Sequence, residues 1–479
     1  MKRVLIGVTG FMFCFAVAFF GIQFFTKTGI FKIPGVVYID TELSDEETDL
    51  INMIFYSDEE KIVLDKDVHI TRREVYELPE LEKGEYLFSV KVPVAEFYSN
   101  ETNVLTSSEN INYISINDLD FSKKLLSLDG YYYLKEFNKG AKFEIIKFES
   151  EKYEEEIKPL VEESFKKEFP TKETVLTFAQ TGVTAMGRGM NRKLYEVGDA
   201  TFFSAYIKDY LSSFDLTHTS NEASFSDWAN GSNICADRRF IDTLNAIGLD
   251  IVELTGNHNQ DCGDDAASET IDIYNNNGIK VVGGGKTATE AATPLVLNEK
   301  GTGITMLAYN LSTGGATLDN TPGANQYYEE NAVAEIAAAK ARGDKVIIDI
   351  QYYECSAYDT EYENATCDYA NSSAGDQIGF FRHLIDLGAD VVVGTSAHQP
   401  QTYELYGNGA IYYGLGNLFF DQIWWPGTTR SLILAHYFYN GKLLQTEVVP
   451  TVYDSNMQTK LMDAETTTWY LDRLKSARP

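Results

Sequence analysis

Six short apolar runs, each closing on a polar turn, constrain this chain more than any other feature. They read "TVLTFAQTG", "DIVELTGNH", "IKVVGGG", "GITMLAYN", "KVIIDIQYY" and "ADVVVGTSAH", and all lie beyond Thr174. A brief apolar run bounded by Gly or polar residues has the pattern of a buried strand. Between them lie helical patterns such as "DRRFIDTLNAIG" and "ASETIDIYNNNG", each stopping at a Gly placed to cap the helix C-terminus. Strands alternating with helices predict an α/β layered domain, and such sheets gather functional groups at the carboxyl ends of their strands. The tips of these runs should therefore converge in space although scattered in sequence. They supply Glu222, Asn257, His258, Asp261, Gln351, Glu354 and His398.

The stretch "DIVELTGNHNQDCG" shows the chemistry at stake, because one strand delivers an amide, an imidazole and a carboxylate to a single turn. Asn and Asp also favour turns for conformational reasons alone, so turn and site both remain open there. Carboxylate, imidazole and amide together suit a hard or borderline divalent ion, or general acid–base work. His258 and His398 each follow a different strand. His383 falls within a helical pattern and reads as structural, and His69 and His436 have no polar company in sequence. His218 precedes Glu222 by four positions, which puts both on one face of a strand. The segment "VVGGGKTATEA" lacks the spacing of a phosphate-binding loop and reads as a tight strand-to-helix connection. No GxSxG nucleophile elbow occurs. The aromatics in "QYYECSAYDTEY" and "FFDQIWWPG" suit either the rim of a groove for an extended polymer or ordinary core and surface positions.

The amino-terminal part is different. After Met1-Lys2-Arg3, residues Val4 to Phe25 carry no charge, a length sufficient to cross a bilayer core. A cleaved signal peptide shares this plan, but aromatic residues crowd the place where small residues should mark a cleavage site. The expectation is an uncleaved single-pass anchor in the cell membrane, with the bulk of the chain outside the cytoplasm. The formal charge is -31, and the rest is about -35 once Lys2, Arg3, Lys27 and Lys32 are set aside. A surface that acidic disfavours nucleic acid as a partner, and an anionic substrate would need a local basic patch. Four cysteines lie beyond the anchor, and their local spacing favours Cys235–Cys262 and Cys355–Cys367 as disulfides. Residues 1–34 read as anchor and linker, 35–165 as an accessory α/β domain, 174–455 as the main domain and 456–479 as a helical tail.

The stretches "FIDTLNAIGLDIVELTGNHNQDCGDDAASETIDIYNNNGIKVVGGG", "HLIDLGADVVVGTSAHQPQTYELYGNGAIYYGLGNLFFDQ" and "TGVTAMGR" resemble the CapA family of poly-γ-glutamate capsule biosynthesis proteins. The likeness covers about residues 174–455. It implies a four-layer α/β/β/α sandwich of metallophosphoesterase-like type, beside an N-terminal transmembrane helix and a smaller α/β domain. It also implies a role in making, releasing or attaching an anionic cell-surface polymer, together with membrane-bound polymer-synthesis partners. The motifs are incomplete. Gly182 is followed by Val183 where the family has Asp, although Arg188 remains. Asn221 and Glu222 match Asn-Leu-Glu without its Leu, and Asn257, His258, Asp261 and Gly263 match the Asn-His motif. Gln351 stands where the family has His. Gly394-Thr395-Ser396-Ala397-His398 keeps only the last His of Gly-His-His-Pro-His, and Gly416 and Asn417 match Leu-Gly-Asn.

Such losses disfavour a two-metal centre, which needs ligands for both ions. What remains implies one divalent ion at most, held by Glu222, Asn257, His258 and His398, or the same four as a metal-free catalytic set. Arg188, Asp261, Gln351, Glu354 and Asn417 are the substrate-binding candidates, with Arg188 placed to grip a carboxylate. Amide or ester chemistry is the leading expectation. A polymer-binding module with a degenerate site and a metal-dependent phosphoesterase are the alternatives.

Overall fold

The computed structural model describes residues 37–39, 51, 67–164, 167–311, 317, 321–353, 364–370 and 375–479. The expected anchor, Glu354 and Cys355 lie outside the described residues. Among those described, no helix is long and apolar enough to cross a membrane. The chain divides into two compact units, one of residues 1–95, 101–119 and 125–172 and one of residues 96–100, 120–124 and 173–479.

Residues up to 149 contribute β1 (Val37–Ile39), β2 (Val68–Val75), β3 (Glu85–Glu96), β4 (Asn103–Val104), β5 (Tyr113–Ser115), β6 (Lys123–Leu125), β7 (Ser127–Leu128) and β8 (Lys142–Glu149). The smaller unit is built on a mixed sheet in the order β1-β2-β8-β3-β5. Its core packs Val68, Ile70, Phe88, Ile146 and Phe148 against Tyr153, Ile157 and Val161 of the charged helical segment that follows. That segment keeps Glu154, Glu155 and Glu162 exposed and buries its apolar stripe.

The larger unit holds β9 (Leu176–Thr184), β10 (Leu216–Asn221), β11 (Ile251–Glu253), β12 (Lys280–Val282), β13 (Gly284–Gly285), β14 (Leu295–Glu299), β15 (Thr302–Asn310) and β16 (Gly323–Ala324). It continues with β17 (Lys345–Gln351), β18 (Val391–Thr395), β19 (Tyr403–Tyr406), β20 (Gly409–Tyr412), β21 (Asn417–Phe419), β22 (Arg430–Tyr439), β23 (Lys442–Tyr453) and β24 (Thr459–Leu461). One sheet runs β12-β11-β10-β9-β22-β23-β24, with β21 also paired to β9, and the other runs β14-β15-β17-β18-β20-β19. Strands β9 to β12 are mutually parallel, as are β15, β17, β18 and β20.

The two sheets pack face to face through Phe178, Leu216, Ile251, Met306, Ile347, Val391 and Leu434. Helices Gly189–Val197, Ile241–Ala246 and Asp264–Asn276 cover the outer face of the first sheet. Helices Glu329–Arg342 and Gln377–Asp386 cover the second. Ala332, Ile336 and Ala339 show why Glu329–Arg342 does so, since their spacing lays one apolar stripe against the sheet. The result is a mixed α/β protein with helix, sheet, sheet and helix in layers. The carboxyl-terminal segment is no separate tail: β24 joins the first sheet, and Tyr470 and Leu474 of helix Ala464–Ser476 enter the core between the sheets.

Inward-facing residues change character along the parallel strands. From amino to carboxyl end, β9 presents Leu176, Phe178 and Gln180, β11 presents Ile251 and Glu253, and β17 presents Ile347, Asp349 and Gln351. Strand β10 goes from Leu216 through His218 and Ser220 to Glu222 just beyond its end. The period of two keeps each series on one face. The sandwich is therefore apolar at one end and polar towards the rim where these strands stop.

Candidate functional site

Glu222 leaves β10 with its amide held by the Thr184 carbonyl at 2.9 Å. Its side chain is fully buried. Gln351, the last residue of β17 in the other sheet, donates from Nε2 to Glu222 Oε1 at 3.1 Å and to Asn257 Oδ1 at 3.2 Å. Thr395, ending β18, donates to Gln351 Oε1 at 3.1 Å. One carboxylate, two amides and a hydroxyl from four strand ends thus meet where the sheets open. Glu222 Oε2 is buried without a hydrogen-bond partner. Gly256 makes room for this arrangement, because a Cβ there would stand 2.8 Å from both Cα and Cγ of Glu222.

His258 lies on the same turn as Asn257 but pairs elsewhere. Its Nδ1 is 2.7 Å from Asp261 Oδ2, and both side chains are partly exposed. That contact fixes the proton on Nδ1 and leaves Nε2 as the basic nitrogen. Asp261, expected on the substrate, therefore orients His258, and the partner of Glu222 is Gln351 rather than His258. Cys235–Cys262 ties the turn down, bonding the segment after β10 to the segment after β11 with a Cα separation of 5.8 Å. Cys367 is buried and disulfide-bonded too. An open cavity of about 550 Å³ lies beside Cys262, lined by Trp228, Arg238, Asp264 and Glu269 among others. Its lining includes none of Glu222, Asn257 or Gln351.

His398, Asn417 and Arg188 form a second group. His398 is buried, with Nδ1 2.9 Å from Asn417 Oδ1, and its ring centroid lies 5.1 Å from that of Phe420. The Arg188 guanidinium stands 4.7 Å over the same Phe420 ring. Arg188 Nη2 donates to Asp421 Oδ1 at 2.7 Å, and the Gly189 amide donates to Asp421 Oδ2 at 2.8 Å. The expected clamp for a substrate carboxylate already holds a carboxylate of its own chain.

The donor set does not fit the one divalent ion that the resemblance implies. Among the described residues, no three His, Cys, Asp or Glu side chains gather closely enough to hold an ion. The oxygens of Glu222 and Asn257 that face a common point meet an N–H donor there, and an N–H repels a cation. His258 and His398 are each committed through Nδ1 to a different neighbour.

Beneath the rim, sequence reasoning missed a buried polar cluster. His218 Nε2 lies 3.2 Å from Asp349 Oδ2, and both residues are fully buried. Gln180 donates to Asp349 and accepts from His436, whose other ring nitrogen is 2.8 Å from Thr446 Oγ1. His436, without polar company in sequence, thus has it from two neighbouring strands. Burial, with the nearby His218, pushes the His436 imidazole down to about 3. Glu253 is fully buried and accepts from the backbone and hydroxyl of Thr255. Burial and then the charge of Asp349 push its carboxyl up to about 7, while hydrogen bonds oppose the rise. A signal was available, because Glu253 and Asp349 are charged residues inside otherwise apolar strand runs.

Fold and site together define an α/β sandwich whose polar side chains gather at the carboxyl-end rim between two sheets. The chain belongs to the family described as "Bacterial capsule synthesis protein PGA_cap", the CapA family, which it matches over residues 177–422, just over half its length. It is 24% identical over 289 residues to "Capsule biosynthesis protein CapA" of Bacillus anthracis, covering 57% of this chain and 67% of that one. It is 24% identical over 277 residues to "PGA biosynthesis protein CapA" of Bacillus subtilis (strain 168), covering 56% and 69%. A third relative, "Probable polyglutamine synthesis accessory protein" of Mycobacterium tuberculosis, is 26% identical over 194 residues, covering 38% and 48%.

Proposed function

We propose that this chain acts on an anionic cell-surface polymer of the poly-γ-glutamate type, at amide or ester bonds, by acid–base chemistry at the rim. The single observation behind this reading is that Gln351 donates to Glu222 and Asn257 at once, joining both sheets at one point. Gln351 fixes one oxygen of Glu222 and leaves Oε2 to exchange a proton with a ligand. His258, oriented by Asp261, supplies a second proton-transfer group on the same turn. The names of the Bacillus relatives, one for capsule and one for PGA biosynthesis, support the choice of polymer. Anchoring through residues 4–25, an extracytoplasmic location and contact with membrane-bound synthesis partners are parts of the same proposal. A metallophosphoesterase-like ancestry accounts for the layer order without requiring metal chemistry.

The test is polyglutamate chain length, followed by size-exclusion chromatography with the purified chain. Wild type is expected to change it, and Glu222→Gln to slow the change at least tenfold while polymer is still bound. Binding alone is the second reading, favoured because three of the four converging side chains, Asn257, Gln351 and Thr395, do not titrate. Polymer retained without any change of length would establish that reading. Turnover of a generic phosphoester, abolished by chelator, would overturn both.

A further inference from the structure

We propose that Arg430, Arg473 and Trp469, with Trp424 and Trp425 close by in the chain, form a carboxylate-gripping track that leads an anionic polymer to the His398 side of the rim. The tryptophans point to it first. All four in the chain, Trp228, Trp424, Trp425 and Trp469, are exposed, although an indole is among the largest apolar groups a fold can bury. Three of them stand near one stretch of backbone. Trp424 and Trp425 precede the short turn Pro426–Thr429, and Arg430 follows it as the first residue of β22. The Arg430 guanidinium lies 5.4 Å over the ring of Trp469 on helix Ala464–Ser476.

These side chains are held in place. Thr428 donates to the Trp425 carbonyl from its amide at 3.1 Å and from its hydroxyl at 3.0 Å, which closes the turn beside the two indoles. The Arg430 guanidinium also lies 5.2 Å over the buried Tyr470 ring, and that of Arg473 lies 5.3 Å over Trp469. Arg473 Nε donates to Asn364 Oδ1 at 3.2 Å. Both anchors run back to the rim. Asn364 Nδ2 donates to the Pro400 carbonyl at 2.9 Å, two residues past His398. Asn417, whose Oδ1 meets His398, donates to the Thr428 carbonyl at 3.1 Å, two residues before Arg430.

Charge names the ligand. At a net charge of -31 the surface as a whole repels anions, so a polyanion needs a local exception. Two guanidiniums brought to one indole repel each other, a cost that a bound carboxylate removes. Lys460 adds a third cation to the same face, being in register with Val452 across β24 and β23, as Val452 is with Arg430 across β23 and β22. The helix also carries the acids Asp463, Glu465 and Asp472. Asp463 is engaged as the cap, and Asp472 lies 3.6 Å from Lys475. Glu465, one turn before Trp469, offsets one of the three cations. A guanidinium fork matches a carboxylate, and indole faces suit the methylene stretches between successive carboxylates. A chain with one carboxylate per unit on an aliphatic backbone presents the two in alternation. The choice of ligand rests on the polymer proposed above as substrate; what is added is where its unreacted length is held.

Fluorescence anisotropy of labelled poly-γ-glutamate, titrated with the full chain at about 0.05 M and about 0.5 M salt, tests the track. Wild type is expected to bind, and more weakly at high salt. Arg430→Gln and Arg473→Gln should each weaken binding about fivefold, and the pair at least about twentyfold, as two exposed arginine–carboxylate contacts imply. Trp469→Leu, which keeps an apolar side chain and removes the indole face, should weaken it about threefold. If Arg473→Gln does not fold without its bond to Asn364, Arg430→Gln with Lys460→Gln takes its place. Wild type that binds polymer, with folded variants that bind it equally well, would overturn the track and leave the polymer reading standing. Wild type that does not bind polymer would overturn both. Binding to phosphatidylglycerol vesicles that the variants lose, while polymer binding is kept, would make this face a membrane contact and overturn the track as well. Polymer binding lost in the paired variant, with no change of polymer length by wild type, would uphold the track and establish binding alone at the rim.

Discussion

Gln351 is the residue on which the rim is most vulnerable. Its amide supplies the donor between the Glu222 and Asn257 oxygens, and its own oxygen is taken by Thr395. Gln351→Leu preserves volume and removes both functions. Each buried oxygen so stranded costs about 1–3 kcal/mol, so the variant should lose roughly 2–4 kcal/mol in urea denaturation. Gln351→Glu should not rescue it, because a second carboxylate would face Glu222. A Gln351→Leu variant as stable as wild type would mean that the shared hydrogen bonds do not form. Asn257 and Gln351 were legible in sequence because each closes an apolar run, and Glu222 because it closes the strand-like stretch that holds His218. Their partners were not, since Thr395 belongs to a motif read only for its missing histidines. Asp261 was read as a ligand-facing group, although it serves to hold His258, and Asp421, which holds Arg188, carried no reading of its own.

At the level of elements, the rim depends on two segments that no regular strand pairing beyond β10 and β11 holds together. The disulfide Cys235–Cys262 does so across 27 residues. In the chain-entropy account, closing a loop of that length stabilises by about 3.5 kcal/mol. Replacing both cysteines by Ser should lower stability by roughly that amount in guanidinium denaturation. Amide exchange should rise first in residues 256–263. Exchange confined to another region would show that the bond supports the sheet and not the site. This pairing was readable from spacing, and so were the strand tips and the Gly-capped helices, all of which are local signals. The packing of helix Ala464–Ser476 into the inter-sheet core was not, because Trp469 and Leu471 stand on either side of the buried Tyr470 and blur the stripe it forms with Leu474. Only the opposite faces that receive them explain their role.

For the whole molecule, the buried polar cluster beneath the rim and the large negative surface together set the pH at which the fold is firmest. Glu253, Asp250 and Glu335 have carboxyls raised chiefly by burial. A raised carboxyl contributes stability that is complete below its ordinary value and is lost as pH climbs through the folded one. For Glu253 that loss runs from about 4.5 to about 7. His436 works in the other direction. Its lowered imidazole contributes stability above the ordinary 6.5 that drains away as pH falls towards about 3. Between about 4.5 and 6.5 folding therefore gains a proton at Glu253 and sheds one at His436, and the two slopes nearly cancel. Below that window His436 acts alone, and Glu144 and Asp237, whose carboxyls are lowered, add to the loss. Above it, self-repulsion from a net charge of -31 reinforces the loss at Glu253. Urea midpoints should accordingly form a plateau near pH 5–6 and decline towards pH 8. Glu253→Gln, neutral at every pH, should flatten the alkaline limb and leave the acid limb in place. A wild-type midpoint that rises steadily to pH 8 would mean that Glu253 is ionised in the folded chain.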